Sequence, residues 1–117
     1  PNPMTLKAIA KIFNENLPSE GEFSGIGDFE QKISSLVIVS GGGAWHELFE
    51  EMTQSDAEAL ITGEFSHSVW HSAQEAGISV LGLGHYRSET PGVLAVMEAV
   101  RNQFDMDVEF IDIPTYL

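Results

Sequence analysis

The chain has 117 residues and a net charge of −13, from 18 acidic against 5 basic side chains. Its length suits one domain, and its 43% hydrophobic content is enough for a core. The lack of cysteine excludes disulfides and thiolate chemistry, and the scattered basic residues argue against nucleic acid or an anionic membrane as a direct partner.

Helical and strand patterns alternate along the chain. The N-terminal half predicts a helix that Thr5 caps and that ends before Pro18, followed by a loop over 19–27 with an extended piece at 23–26. It then predicts a strand at 36–39 buried on both faces and a helix from 44 onward. The C-terminal half predicts a strand at 59–62, a helix capped by Ser66 and stopped by Gly77, a strand at 78–83, a helix with Pro91 in its first turn and a strand at 108–113.

This alternation predicts a layered α/β fold with a mainly parallel sheet. In such sheets ligands bind where the strands reach their carboxyl ends. Three loops leave predicted strands there, at 41–43, 63–67 and 84–89, and they carry most of the glycines and unusual polar residues. The sequence therefore predicts a site formed by these three loops.

The first loop is the triplet Gly41-Gly42-Gly43, which precedes a predicted helix. Its amides could cradle an anion at the positive end of that helix. It has neither the spacing of a dinucleotide fingerprint nor the Lys-Ser/Thr of a phosphate-binding loop. The alternative, which the spacing alone favours, is a tight turn that lets Trp45 pack under the sheet.

His85 and Glu89 lie four residues apart, so a helical turn would bring them to one face. Imidazole and carboxylate are ligands that Zn, Mn, Fe or Ni accepts, but a metal site needs at least three protein groups. The alternative reading of this pair is a polar loop in which Glu89 helps to cap the helix that Pro91 begins.

Three further polar positions carry weaker signals. Glu64 follows a strand and precedes a helix, where it could orient a ligand histidine, act as a base, or only complement the helix N-terminus. His67 and His71 are spaced four apart, with Glu75 one turn further on, and we expect them on a flank of their helix rather than at a metal. His46 has no motif around it.

Five segments, in this order, resemble the YbgI-like dinuclear metal-centre family, also described as interacting-factor-three-like and GTP-cyclohydrolase-like. They are Val39-Ser-Gly-Gly-Gly-Ala44, Ala59-Leu-Ile-Thr-Gly-Glu64, His71-Ser-Ala-Gln-Glu-Ala-Gly77, Gly84-His-Tyr-Arg-Ser-Glu-Thr-Pro-Gly92 and Val108-Glu-Phe-Ile-Asp-Ile-Pro114. The likeness implies that residues 1–117 form one domain, the C-terminal repeat of an intertwined two-repeat fold with mixed sheets. An initial helix and loop would occupy 1–35, and the core with the metal-side loops would occupy 36–117.

The resemblance also implies ligands and partners. His85 and Glu89 match metal ligands, while Glu64 and His71 match positions near the site, from which Glu64 is a candidate catalytic base. The remaining ligands to two divalent ions (Zn, Fe, Mn or Ni) would come from the absent N-terminal half. The expected whole is a cytoplasmic, homo-oligomeric hydrolase of the GTP cyclohydrolase type acting on a nucleotide-like molecule, in which this chain alone is inactive. The alternative is a non-catalytic metal-binding scaffold or interaction protein that forms a homo-oligomer.

Overall fold

The structure, a computed structural model, describes residues 2–18 and 21–115. Its elements in chain order are β1 (Met4–Thr5), α1 (Leu6–Asn16), β2 (Ser24–Ile26), β3 (Lys32–Ile33), β4 (Leu36–Val39), α2 (His46–Gln54), β5 (Ala59–Thr62), α3 (His67–Ala76), β6 (Ser79–Gly82) and α4 (His85–Gln103). None of the helices within these ranges is both long and apolar enough to span a lipid bilayer.

The main sheet has the strand order β2-β6-β5-β4. Strands β4, β5 and β6 run parallel, with Val37 opposite Leu60 and Leu60 opposite Val80, and β2 pairs with β6 in the antiparallel sense. This confirms the α/β class and the mixed, mainly parallel sheet. A two-stranded antiparallel ribbon of β1 and β3 was not predicted, since two residues per strand are too few to produce a periodic pattern.

The two central strands, β5 and β6, are buried on both faces of the sheet. Their side chains point alternately toward one face and the other. On one face, Leu60 and Val80 pack with Phe49 and Met52 of α2 and with Val69 of α3. On the other face the core is formed by α1 and the opposite side chains of the strands, namely Leu6, Ile9, Ala10, Ile33, Ala59, Ile61, Leu81 and Leu83. Helices on both faces thus hold β5 and β6 in place.

Helix ends lie close to where the capping residues predict them. Thr5 Oγ1 accepts a hydrogen bond from the Ala8 amide at 3.1 Å, and Ser66 Oγ accepts one from the Val69 amide at 3.4 Å. Gly77 ends α3 in the left-handed conformation with a φ of 67°. The predicted starts of α1 and α3 and the predicted end of α3 are therefore confirmed.

Two predictions about burial are wrong. Strand β4 is the outer strand of its sheet and is not buried on both faces, since Ile38 is 60% exposed. Trp45 is 45% exposed, so it does not pack under the sheet, and α2 begins only at His46. An aliphatic run cannot by itself distinguish an edge strand from a central one, because strand order depends on distant segments.

The last helix starts earlier than its proline predicts. α4 begins at His85, with Gly84 at the capping position, and Pro91 lies inside the helix rather than in its first turn. Proline has no amide hydrogen, so the Arg87 carbonyl four residues earlier loses its helical partner. Because α4 begins at His85, the 84–89 segment is mostly helix and not loop.

The strand predicted at 108–113 is absent, because no strand of the described residues lies beside this segment. It is instead held to α4 by side chains. Arg101 donates to the Val108 carbonyl from Nε at 3.1 Å and from Nη2 at 2.6 Å, and the Ile113 amide donates to the Tyr86 hydroxyl at 3.2 Å. Much of the apolar surface of α4 and of the segment after it is exposed, at Val93, Val96, Phe104, Met106, Ile111 and Ile113.

Candidate metal centre

The carboxyl ends of β4, β5 and β6 bring the three predicted segments together. The Glu64 amide donates to the Gly41 carbonyl at 3.0 Å, and the Gly84 amide donates to the Gly63 carbonyl at 2.8 Å. These bonds continue the parallel pairing of the strands past their ends. The prediction that the three segments meet at this edge of the sheet is confirmed at the level of backbone contact, and their forming one site stays a prediction.

His85 lies between two carboxylates. Its Nδ1 is 2.8 Å from Glu64 Oε1, and its Nε2 is 3.4 Å from Glu89 Oε1. An ionised carboxylate only accepts hydrogen bonds, so Nδ1 carries the hydrogen atom and donates a hydrogen bond to Glu64. The other ring nitrogen is thereby left to face Glu89 with its lone pair when the ring is neutral.

The same two carboxylates raise the pKa of His85 above its ordinary value of 6.5. The hydrogen bond to Glu64 is the largest cause, and the negative charges of Glu89 and Glu64 add to it against the opposing effect of desolvation. The side chain is only partly exposed, at 36%. The two carboxylates therefore favour the protonated, cationic form of His85, and their negative charge would equally favour a metal cation beside the ring.

Glu89 belongs to the second turn of α4, which excludes the reading in which it caps a helix begun by Pro91. Four residues separate it from His85 in the helix, so the two side chains share a face. Both face Gly41, whose φ is 63° and where an added Cβ would overlap the Glu89 carboxylate and lie 3.2 Å from His85 Nε2. Glycine at 41 keeps the space between these two donors open.

Ser88 is a site residue that the sequence analysis missed. Its hydroxyl accepts a hydrogen bond from the Gly41 amide at 2.9 Å and donates one to the His85 carbonyl at 2.9 Å. It thus ties the glycine turn to the first turn of α4. The Gly41 amide is consequently engaged within the chain, and an anion cradle at the amides of Gly42 and Gly43 stays a prediction. The only sequence signal for Ser88 was its position between the two candidate ligands.

The donors present suit a divalent transition metal. Nε2 of His85 and a carboxylate oxygen of Glu89 converge on the space beside Gly41. The Glu64 carboxylate binds the other ring nitrogen of His85, and a hydrogen bond of this kind is common for histidines that bind metal. Across residues 2–18 and 21–115, no group of three or more histidine or acidic side chains could hold a metal ion by itself. A metal ion held by His85 and Glu89 would therefore need further ligands to complete its coordination shell.

The remaining candidates lie apart from these contacts. His71 Nε2 is 3.2 Å from His67 Nε2, both side chains are exposed, and the expected flank position is confirmed. No hydrogen bond among the described residues joins His71 to His85, and a role for His71 beside the centre stays a prediction. His46 Nδ1 lies 2.7 Å from Ser72 Oγ, between α2 and α3.

Known proteins resemble this chain over nearly all of its length. It is 39% identical over 118 residues to a protein of Pyrococcus abyssi described as a GTP cyclohydrolase 1 type 2 homolog, with 98% of this chain and 44% of the relative covered. A solved structure described as protein ybgI, of unknown function, superposes with a TM-score of 0.80 at 29% identity, covering 98% of this chain and 45% of that one. The crystal structure of TTHA1606 from Thermus thermophilus superposes with a TM-score of 0.75 at 29% identity, covering 98% and 44%.

The chain thus spans less than half the length of these relatives. A family model described as Duf34/NIF3 (NGG1p interacting factor 3) matches residues 1–116. Sequence and fold agree over the same extent, and the chain belongs to the Duf34/NIF3 family.

Proposed function

We propose that this chain is the C-terminal half of a dinuclear-metal-dependent hydrolase of the GTP cyclohydrolase type, to which it contributes His85 and Glu89 as metal ligands. The observation that carries the proposal is the arrangement of His85, with Nδ1 on Glu64 at 2.8 Å and Nε2 facing Glu89 at 3.4 Å. The description of relatives as GTP cyclohydrolase 1 type 2 homologs supports the reaction class.

Within this proposal Glu64 is a positioning residue. Its carboxylate accepts a hydrogen bond from the Nδ1–H group of His85. This bond fixes the orientation of the ring and leaves Nε2 as the ligand atom. The interaction also makes the imidazole a stronger donor. The hydrogen bond to His85 favours this role over proton abstraction, and action of Glu64 as a catalytic base stays a prediction.

Glu89 and His85 would present one nitrogen and one oxygen to divalent ions such as Zn, Fe, Mn or Ni. When bound, such ions lower the pKa of water toward neutrality and polarise a substrate for hydrolysis. The chain's own contribution is to hold the two donors on one face of α4, with Ser88 and Gly41 limiting their movement.

The proposal assigns the remaining ligands to an N-terminal half of the same protein, and the coverage of relatives supports it. The described residues also leave Val93 and Val96 of α4 exposed at 53% and 64%, as expected for a surface that another segment covers. A homo-oligomer, a cytoplasmic location, a nucleotide-like substrate and the division at residue 35 remain parts of this proposal.

Metal content measured on the longer protein and on this chain tests the ligand assignment. In the longer protein we expect about two divalent ions per subunit, and His85→Ala or Glu89→Ala should remove at least one of them. In the isolated chain we expect weak or no metal binding at His85 and Glu89, since two protein ligands are too few. Glu64→Gln should reduce affinity by about 10–100-fold, as loss of a partner to a metal-bound histidine does. Full metal occupancy in His85→Ala would contradict the assignment.

A substrate screen on the metal-loaded longer protein tests the reaction class. Hydrolysis of GTP or a related nucleotide, lost in His85→Ala, would support the hydrolase. Stoichiometric metal with no turnover of any nucleotide or phosphoester would instead support the alternative function, a metal-binding scaffold.

A further inference from the structure

A second group of potential ligands lies on α3, outside the site of His85 and Glu89. His67 and His71 occupy the first two turns of this helix, after the Ser66 cap, and both side chains are exposed to solvent. Their Nε2 atoms are 3.2 Å apart, with the ring centroids 4.7 Å apart and the ring planes nearly perpendicular at 86°. Two ring nitrogens therefore approach each other on the surface, and within the described part of the chain neither makes a hydrogen bond to His85.

We propose that His67 and His71 form a two-histidine chelate for a divalent transition-metal ion. Tetrahedral coordination with metal–nitrogen distances of 2.0–2.1 Å requires two histidine nitrogens to lie about 3.4 Å apart. The observed 3.2 Å is close to that separation. Histidines four residues apart on a helix are also the pair that supplies two metal ligands in helical zinc motifs.

The surroundings limit the freedom of this pair. Trp70 lies against His71 with ring centroids 5.0 Å apart and the planes at 87°, so the indole ring restricts the imidazole. Ordering of the ring before binding lowers the entropy cost of chelation. The overall charge of −13 favours cations around the molecule, whereas the positive end of α3 opposes one locally.

Only these two protein groups converge among the described residues, so the remaining coordination positions would be filled by water. Such a site binds more weakly than a closed site with four protein ligands. Its preference should follow the general order for nitrogen ligands, with Cu²⁺ bound more tightly than Ni²⁺ or Zn²⁺. Bare Cu²⁺ is therefore the most sensitive probe.

The simpler explanation of the 3.2 Å distance is a hydrogen bond in which one ring N–H donates to the other ring's nitrogen. The chelate and this bond differ in one measurable respect. A metal replaces the shared proton and needs both nitrogens as donors, so Cu²⁺ uptake will depend on both histidines.

The test is Cu²⁺ titration by calorimetry in a background of His85→Asn and Glu89→Gln, which removes the other candidate ligands. We expect one equivalent of Cu²⁺ to bind. His67→Asn and His71→Asn should each lower the Cu²⁺ affinity at least about tenfold, because removing only the hydrogen-bond partner of a metal ligand already lowers metal affinity by about that factor. Paramagnetic broadening of amide resonances should be confined to the start of α3 and its neighbours.

His46→Asn is the matched control, because His46 is another exposed histidine but lies on α2 against Ser72. Its removal should leave the Cu²⁺ affinity unchanged. Equal affinity in the background protein and in both α3 variants would overturn the proposal, as would an equal loss in His46→Asn. Since the background lacks His85 and Glu89, either result is independent of the proposed hydrolase site.

Discussion

At the scale of single residues, the candidate centre depends on a position without a side chain. Replacing Gly41 by alanine would add a Cβ that overlaps the Glu89 carboxylate, at a φ of 63° that costs a non-glycine residue about 1–2 kcal/mol. We expect Gly41→Ala to lose stability by at least that amount and to weaken metal binding in the longer protein. Denaturant unfolding and metal content measure the two effects.

The neighbouring glycine provides the control. At Gly42 an added Cβ would lie 3.6 Å from Glu64 Oε1 and 3.7 Å from His85 Cε1, which are ordinary contact distances. Gly42→Ala should therefore keep the metal content of the parent. If both variants bind metal equally well, Gly41 does not control the space between the two ligands.

Glu58 gives a pH-dependent contribution to stability at the start of β5. Its Oε2 accepts hydrogen bonds from the amides of Ser34 at 2.6 Å and Ser35 at 3.0 Å, which lower its pKa below 4.5. A carboxyl whose pKa is lowered by folding stabilises the protein above its unfolded pKa, and this contribution is lost as the pH falls through the folded value. Glu58→Gln should thus be less stable than the parent near neutral pH.

The difference between the parent and Glu58→Gln should shrink as the pH falls from 4.5 through the lower folded-state pKa of Glu58, because the carboxyl is protonated first in the unfolded state and then in both states. Urea unfolding at several pH values measures it. Glu50→Gln, on the exposed surface of α2, controls for the loss of one negative charge. A difference that stays constant down to about pH 3 would show that the carboxylate is not the source.

At the scale of elements, two glycines separate backbone conformation from packing. An added Cβ meets no atom within 4 Å at either Gly77 or Gly92, but Gly77 ends α3 with a φ of 67° whereas Gly92 lies inside α4. We expect Gly77→Ala to destabilise the chain by about 1–2 kcal/mol and Gly92→Ala to stabilise it by about 0.5–1 kcal/mol. Chemical denaturation measures both, and effects of the same sign would contradict this account.

The sequence pattern of α4 predicted its apolar face but not its start or its neighbours. Pro91 favoured a start near residue 90, yet the amide of Ser88 already donates to the Gly84 carbonyl at 3.1 Å, which sets the first turn. The early start is what brings His85 and Glu89 onto one helical face. The preference of Pro91 for the first turn of a helix was therefore overridden by the connection from β6. Just after that strand, the Leu83 amide donates a hydrogen bond to the Thr62 carbonyl at 2.8 Å, which fixes where the connection begins.

At the scale of the whole molecule, two helical valines distinguish the core from the exposed surface of α4. Val69 is 3% exposed and packs against the sheet, whereas Val96 is 64% exposed. In this chain we expect Val69→Ala to cost about 2 kcal/mol through lost burial, and Val96→Gln to change stability by less than about 0.5 kcal/mol. Equilibrium unfolding tests both expectations.

In the longer protein the proposed N-terminal half would cover α4. Val96→Gln should there lower the free energy of unfolding by about 1–3 kcal/mol, because it buries a side-chain amide that has no hydrogen-bond partner. The comparison needs the same substitution in both lengths of the protein. Equal, small effects in the two would mean that the surface around Val96 stays exposed and that the missing half binds elsewhere.

The sequence alone determined the class of fold, the positions of the three parallel strands, the caps at Thr5 and Ser66 and the helical spacing of His85 and Glu89. These depend on hydrogen bonds and apolar periodicity within a few residues of chain. Only the tertiary structure decided that β4 is an outer strand, that residues 108–113 have no strand partner among the described residues, and that Glu64 and Ser88 reach His85 and Gly41. Those contacts join segments more than 20 residues apart, and their geometry follows from strand order, which no local pattern encodes.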